Sequence, residues 1–86
     1  MVSAVARRFS RLLFHALESP ATANRGELLK AASDLLDASP DEDTVGSRLA
    51  RGMAFRACDW AVFGTAESYA ALHRASACFR MHVAIN

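Results

Sequence analysis

MAFRACDWAVFGTAESYAALHRASACFRMHV, residues 53–83, is the stretch that decides the fold. Met53, Ala57 and Trp60 recur at four- and three-residue steps, as do Tyr69, Leu72, Ala75, Ser76, Phe79 and Val83, so each half reads as a helix with one apolar stripe. Between the halves stand Gly64, able to end a helix in the left-handed conformation, and Thr65, able to cap the next one. So short a turn lays the two helices antiparallel, and facing positions then carry numbers that add to about 129. Trp60 meets Tyr69, Met53 meets Ser76, Ala50 meets Phe79, Gly46 meets Val83, and Cys58 falls opposite Ala71. Large faces small down most of this seam, as interdigitated packing requires.

Upstream, Ser39, Pro40, Asp41 and Glu42 supply a capping hydroxyl, a proline at the first helical position and acids beside the positive end of the dipole. They predict a helix over 40–63. Gly46 and Gly52 each weaken it by about 1 kcal/mol relative to alanine, with a bend or break expected near Gly46. Val45 and Leu49 extend the Met53 stripe, while Phe55 and Val62 form a second stripe beside Arg48 and Arg51, which implies neighbours on both sides. Asn24 followed by Glu27 is a capping-box pattern opening a helix over 25–37, with Leu28, Leu29, Ala32, Leu35 and Leu36 inward. The first helix, over 3–18, turns Val5, Phe9, Leu12, Leu13, Ala16 and Leu17 inward and is ended by Pro20. Its other face carries Arg7, Arg8, Arg11, His15, Glu18 and, out of place among them, Phe14. With a fourth helix over 66–83, the expected fold is all-α: one domain, residues 1–86, folded as a compact bundle of four helices in which helices 3 and 4 form the hairpin and helix 1 closes it. A three-helix bundle with a mobile amino terminus is the runner-up.

Composition points the same way. Ile85 is the only isoleucine and threonine occurs only at 22, 44 and 65, which starves any sheet. Much of the apolar fraction is alanine, so the core gain barely exceeds a conformational cost of about 1.5 kcal/mol per residue, and a stabilising partner or homodimer is expected. The net charge of +1 hides an uneven distribution. Residues 1–17 hold three arginines and no acid, residues 25–43 set two bases against six acids, and nine of the ten basic residues are arginine.

The opening MVSAVARRFSRLLFHALESPATA has basic residues, a short apolar run and a terminal Ala-x-Ala, features of a targeting segment over residues 1–23. That run is short and interrupted by His15, so the expected location is cytoplasmic, with organellar or secreted as the alternative if the segment is a signal. No window approaches the roughly 20 apolar residues of a membrane span. Two cysteines without a disulfide-scaffold spacing suit a reducing compartment.

Catalysis needs a nucleophile, a base and an orienting group converging on a pocket. Cys58 beside Asp59, with His73 and His82 distant, supplies ingredients only, and no phosphate loop, HExxH or Gly-x-Ser-x-Gly is present. Cys78 and His82, one helical turn apart, are two of the four ligands that structural zinc requires. The expectation is no enzyme, no metal and no cofactor. What remains suits protein recognition: Arg7, Arg11, Phe14 and His15 on helix 1, with Met81 and Ile85 on helix 4, put aromatic, methionine and arginine side chains outside a simple core. The expected function is a regulatory interaction module, such as an adaptor, inhibitor, chaperone or assembly subunit, that binds another protein or its own copy as a homodimer. The alternative is a small nucleic-acid-binding regulator using Arg7, Arg8, Arg11, Arg48 and Arg51. The acids around residues 34–43 oppose it, because they would repel phosphate where a recognition helix approaches.

Overall fold

Four helices follow one another through short connections in the computed structural model, which describes residues 4–38 and 44–85. They are α1 (Ala4–Glu18), α2 (Arg25–Ala38), α3 (Val45–Phe63) and α4 (Ala66–Ile85). The fold is all-α and has no strand among the described residues. Its Cα radius of gyration is 12.0 Å, the roughly 12 Å of a compact chain this long.

The ends of the helices follow their local chemistry. Asn24 caps α2, its side-chain oxygen accepting from the Glu27 backbone N–H at 3.0 Å. Gly64 closes α3 with φ 63°, its N–H donating to the Trp60 carbonyl. Thr65 and Ser68 then cap α4 reciprocally: each hydroxyl accepts from the other's backbone N–H at 3.1 Å. The helix expected over 40–63 begins later, at Val45. Thr44 is extended, with φ −103° and ψ 157°, and its hydroxyl accepts from the Ser47 N–H at 3.1 Å, so Thr44 is the cap that starts α3. The start signal at Ser39 and Pro40 lies outside the described residues.

Two contacts at opposite ends fix the α3–α4 pairing. Trp60 and Tyr69 meet edge to face beside the turn, centroids 6.0 Å apart. At the far end, a Cβ added to Gly46 would sit 3.4 Å from the His82 ring. The two helices therefore run side by side in opposite directions. Consecutive helices pack closely throughout, whereas α1 and α4 meet more sparsely. Their firmest tie is the Tyr69 hydroxyl, which donates to the Leu17 carbonyl at 2.7 Å.

The core is Phe9, Leu13 and Ala16 from α1, Leu28, Ala31 and Ala32 from α2, Met53, Ala54, Ala57 and Trp60 from α3, and Leu72 from α4. Five of these eleven are alanines, so the helices approach closely while burying little area per residue. Several expected core positions stay outside it. Val45, Phe55, Val62 and Val83 are each more than half exposed. α3 does have neighbours on both sides, but it reaches Ser33 of α2 through Cys58 and leaves Phe55 and Val62 in solvent. Cys58 accordingly points at Ser33 of α2, not along the α4 seam.

Two backbone predictions follow from these positions. Gly64→Ala should destabilise the fold by about 1–2 kcal/mol, the cost of a left-handed residue with a Cβ; the Arg25 guanidinium that the new Cβ meets is the end of a flexible side chain and can swing aside. Gly52→Ala should stabilise it by up to about 1 kcal/mol, since no atom lies within 4 Å of the added Cβ. Urea denaturation followed by Trp60 fluorescence measures both. Tyr69→Phe, read in the same assay, should cost about 1 kcal/mol through the lost hydrogen bond to Leu17.

Candidate functional site

Where α1 and α4 separate, a cleft of about 230 Å³ opens. Ser10, Leu13 and Phe14 of α1 form one wall and Ser76, Phe79, Arg80, Val83 and Ala84 of α4 the other, with Met53 of α3 also lining it. The local sequence explains why it exists. Ser10 and Ala84 are small, so neither helix fills the gap, and beyond Val83 the α3 partner is Gly46, which has no side chain to support it. Phe79, half-buried, and Val83 therefore face space that a larger residue would have filled. On their other flank a more open hollow lies among Gly46, Ser47, Ala50 and His82.

Two polar features stand in this apolar setting. Ser76 is buried, the only polar side chain so buried among the described residues, and it lines the cleft. Arg80 lies over the Phe14 ring, its guanidinium carbon 4.9 Å from the centroid, a cation–π contact. Phe14 is thus one wall of a cleft and the seat of an arginine, not a stray aromatic.

The residues expected to bind a partner divide into two groups. Arg7 and Arg11 precede Phe14 by two turns and one turn, so they share its helix face, and both are exposed. His15 is exposed further round the same helix. Met81 and Ile85 are 65% and 77% exposed and do not line the cleft. With Ala70, Ala77 and Cys78 they form the outer face of α4. The cleft-lining residues that sequence reasoning left out are Ser10, Leu13, Met53, Ser76, Phe79, Arg80, Val83 and Ala84. Periodicity places most of them in the core, and the signal for a gap is the excess of small residues opposite Phe79 and Val83.

The five arginines of the nucleic-acid alternative are separated as well. Arg8 approaches Asp34 of α2 at 3.8 Å. Arg48 and Arg51 border a hollow with Leu36, Gly52 and Phe55 between α2 and α3. Arg7 and Arg11 stand on α1.

Among the described residues no three His, Cys, Asp or Glu side chains gather as a metal site would require, and no helix is long and apolar enough to cross a membrane. Both cysteines are free thiols. Burial pushes the Cys58 thiol up and nearby Asp59 adds to the shift, while the hydrogen bond with Ser33 opposes it. A thiol raised in this way stays protonated at neutral pH and is a poor nucleophile. Cys78, exposed on α4, should react first with a thiol reagent at neutral pH, and Cys58 should follow only as the pH rises past the ordinary thiol range. Mass spectrometry of the partly modified chain checks the order; modification of Cys58 first would contradict it.

No family model, curated protein or solved structure matches this chain, which leaves its own surface as the ground for a functional reading.

Proposed function

We propose that this chain acts by binding another protein through the seam between α1 and α4, as a small adaptor, inhibitor, chaperone or assembly subunit, and not by catalysis. The observation that supports this best is the cleft itself: an apolar recess on helical walls, with Arg80 at its edge and Arg7 and Arg11 on the adjoining face of α1. Binding energy at protein interfaces concentrates where an anchor side chain fills such a recess, and aromatic, methionine and arginine residues are enriched there. α4 adds a second feature. Its apolar residues are not confined to the inward face: Met81 and Ile85 stand in solvent. A homodimer would use that outer face. Free thiols and a mixed-charge surface fit a reducing, cytoplasmic setting. Nucleic-acid binding has less support, since its arginines do not gather on one face.

A photo-crosslinking residue placed at Ala84 should capture one protein repeatedly, the same residue at Lys30 on α2 should not, and Phe14→Asp should remove the capture. Equal capture at both positions, or capture indifferent to Phe14→Asp, would sink this reading. Mass in solution across a dilution series tests self-association separately: a dimer that Met81→Asp splits places a second copy on the outer face of α4. A strict monomer removes the homodimer.

A further inference from the structure

The size of the cleft limits what it can take. Sites for whole small molecules commonly enclose about 300–1,000 Å³, and this one offers about 230 Å³, room for one large apolar side chain. Its walls are Leu13, Phe14, Met53, Phe79 and Val83, so the inserted group is apolar. Among the described residues the charge beside it is positive: Arg80 lines the cleft, and Arg7 and Arg11 stand exposed on the Phe14 face of α1. No described residue forms an ion pair with Arg7, Arg11 or Arg80. The only acids on α1 and α4 are Glu18 and Glu67, both at the end that Tyr69 holds shut, away from the cleft. Arg7, Arg11 and Phe14 recur at helical steps, two turns along one edge of the groove.

We infer that the cleft receives an acidic amphipathic helix of a partner protein. One bulky apolar side chain enters between Phe14 and Phe79, and carboxylates one turn apart along the same helix meet Arg7, Arg11 and Arg80. This rests on the protein-binding reading above and specifies its partner. A helix fits because the groove runs between two antiparallel helices, so an added one buries its apolar stripe as a further member of the bundle would. Acidity fits because Arg80 in the wall of the recess and Arg7 and Arg11 on the adjoining face of α1 attract carboxylates and repel a basic segment of the same shape.

The probe is a synthetic peptide of about sixteen residues, long enough to hold a helix, built on alanine and glutamate with one central phenylalanine. It is labelled with a fluorophore and titrated with the full chain by anisotropy. The acidic peptide should bind and shift the amide resonances of Ser10, Leu13, Phe79 and Val83. Replacing its phenylalanine by alanine should weaken binding by about tenfold or more, the loss of a hot-spot anchor. Replacing its glutamates by lysine should abolish binding. The Arg11→Glu, Arg80→Glu double variant should reverse that preference, while Lys30→Glu on α2 should leave it unchanged; circular dichroism confirms that both variants stay helical. Equal binding of the acidic and basic peptides, resonance shifts away from the cleft, or displacement of the acidic peptide by single-stranded DNA without loss of those shifts would overturn the inference. If crosslinking at Ala84 captures a protein whose contacting segment carries no carboxylates, the acidic helix is wrong and the binding-module reading stands. If the crosslink captures nothing specific and the peptide also fails, both fall.

Discussion

The hydroxyl of Tyr69 does more than satisfy itself. By donating to the Leu17 carbonyl it fastens the end of α1 to the start of α4, two helices that otherwise meet sparsely. Trp60 stands against the same ring from α3, so one aromatic side chain fixes three helices at one end of the bundle. Among the described residues no aromatic side chain is seen to join three helices in this way at the other end. Gly46 and Ala50 present little surface to α4, and Ser10 little from α1, so the walls diverge from a closed end toward an open one. The cleft is the geometric result of pinning one end and filling the other with small residues.

The rest of the core is economical. Alanines at 16, 31, 32, 54 and 57 let consecutive helices draw together, yet each contributes little apolar area. The large side chains are then few enough that the placement of each decides much of the packing. Leu72 is the only apolar residue of α4 that is buried outright, and Phe79, Tyr69 and Ala75 are partly covered. α4 is held at its start and along one line, while its last two turns keep Met81, Val83 and Ile85 in solvent.

The sequence was most legible where a helix end has its own chemistry. Gly64 with Thr65, and Asn24 before α2, act as their residue types require, and the resulting hairpin register places Trp60 on Tyr69. Thr44, the cap of α3, is masked in the sequence by the stronger start signal of Ser39 and Pro40, although threonine is also a good cap. Periodicity was less reliable for burial. It groups residues by face without saying how far a neighbour extends, so Val83 and Phe55 joined stripes that no neighbour covers, while Ala31 and Ala54, too small to stand out, lie in the core. Phe14 was visible as an oddity from α1 alone, whereas its partner Arg80 lies on a helix 66 residues further along the chain, and only the tertiary register brings them together.

The order of contacts along the chain also governs how the bundle is built. Each close pairing joins helices that are neighbours in sequence, so α1, α2 and α3 can assemble progressively as the polypeptide is synthesised, with little loop entropy to overcome. The bond from Tyr69 to Leu17 spans 52 residues and has to wait for the last helix. Until α4 docks, Leu13 lacks the wall that faces it, and the recess between the outer helices does not yet exist. The cleft therefore forms only after α4 has joined the other three helices, and a chain lacking α4 would leave Leu13 without that wall.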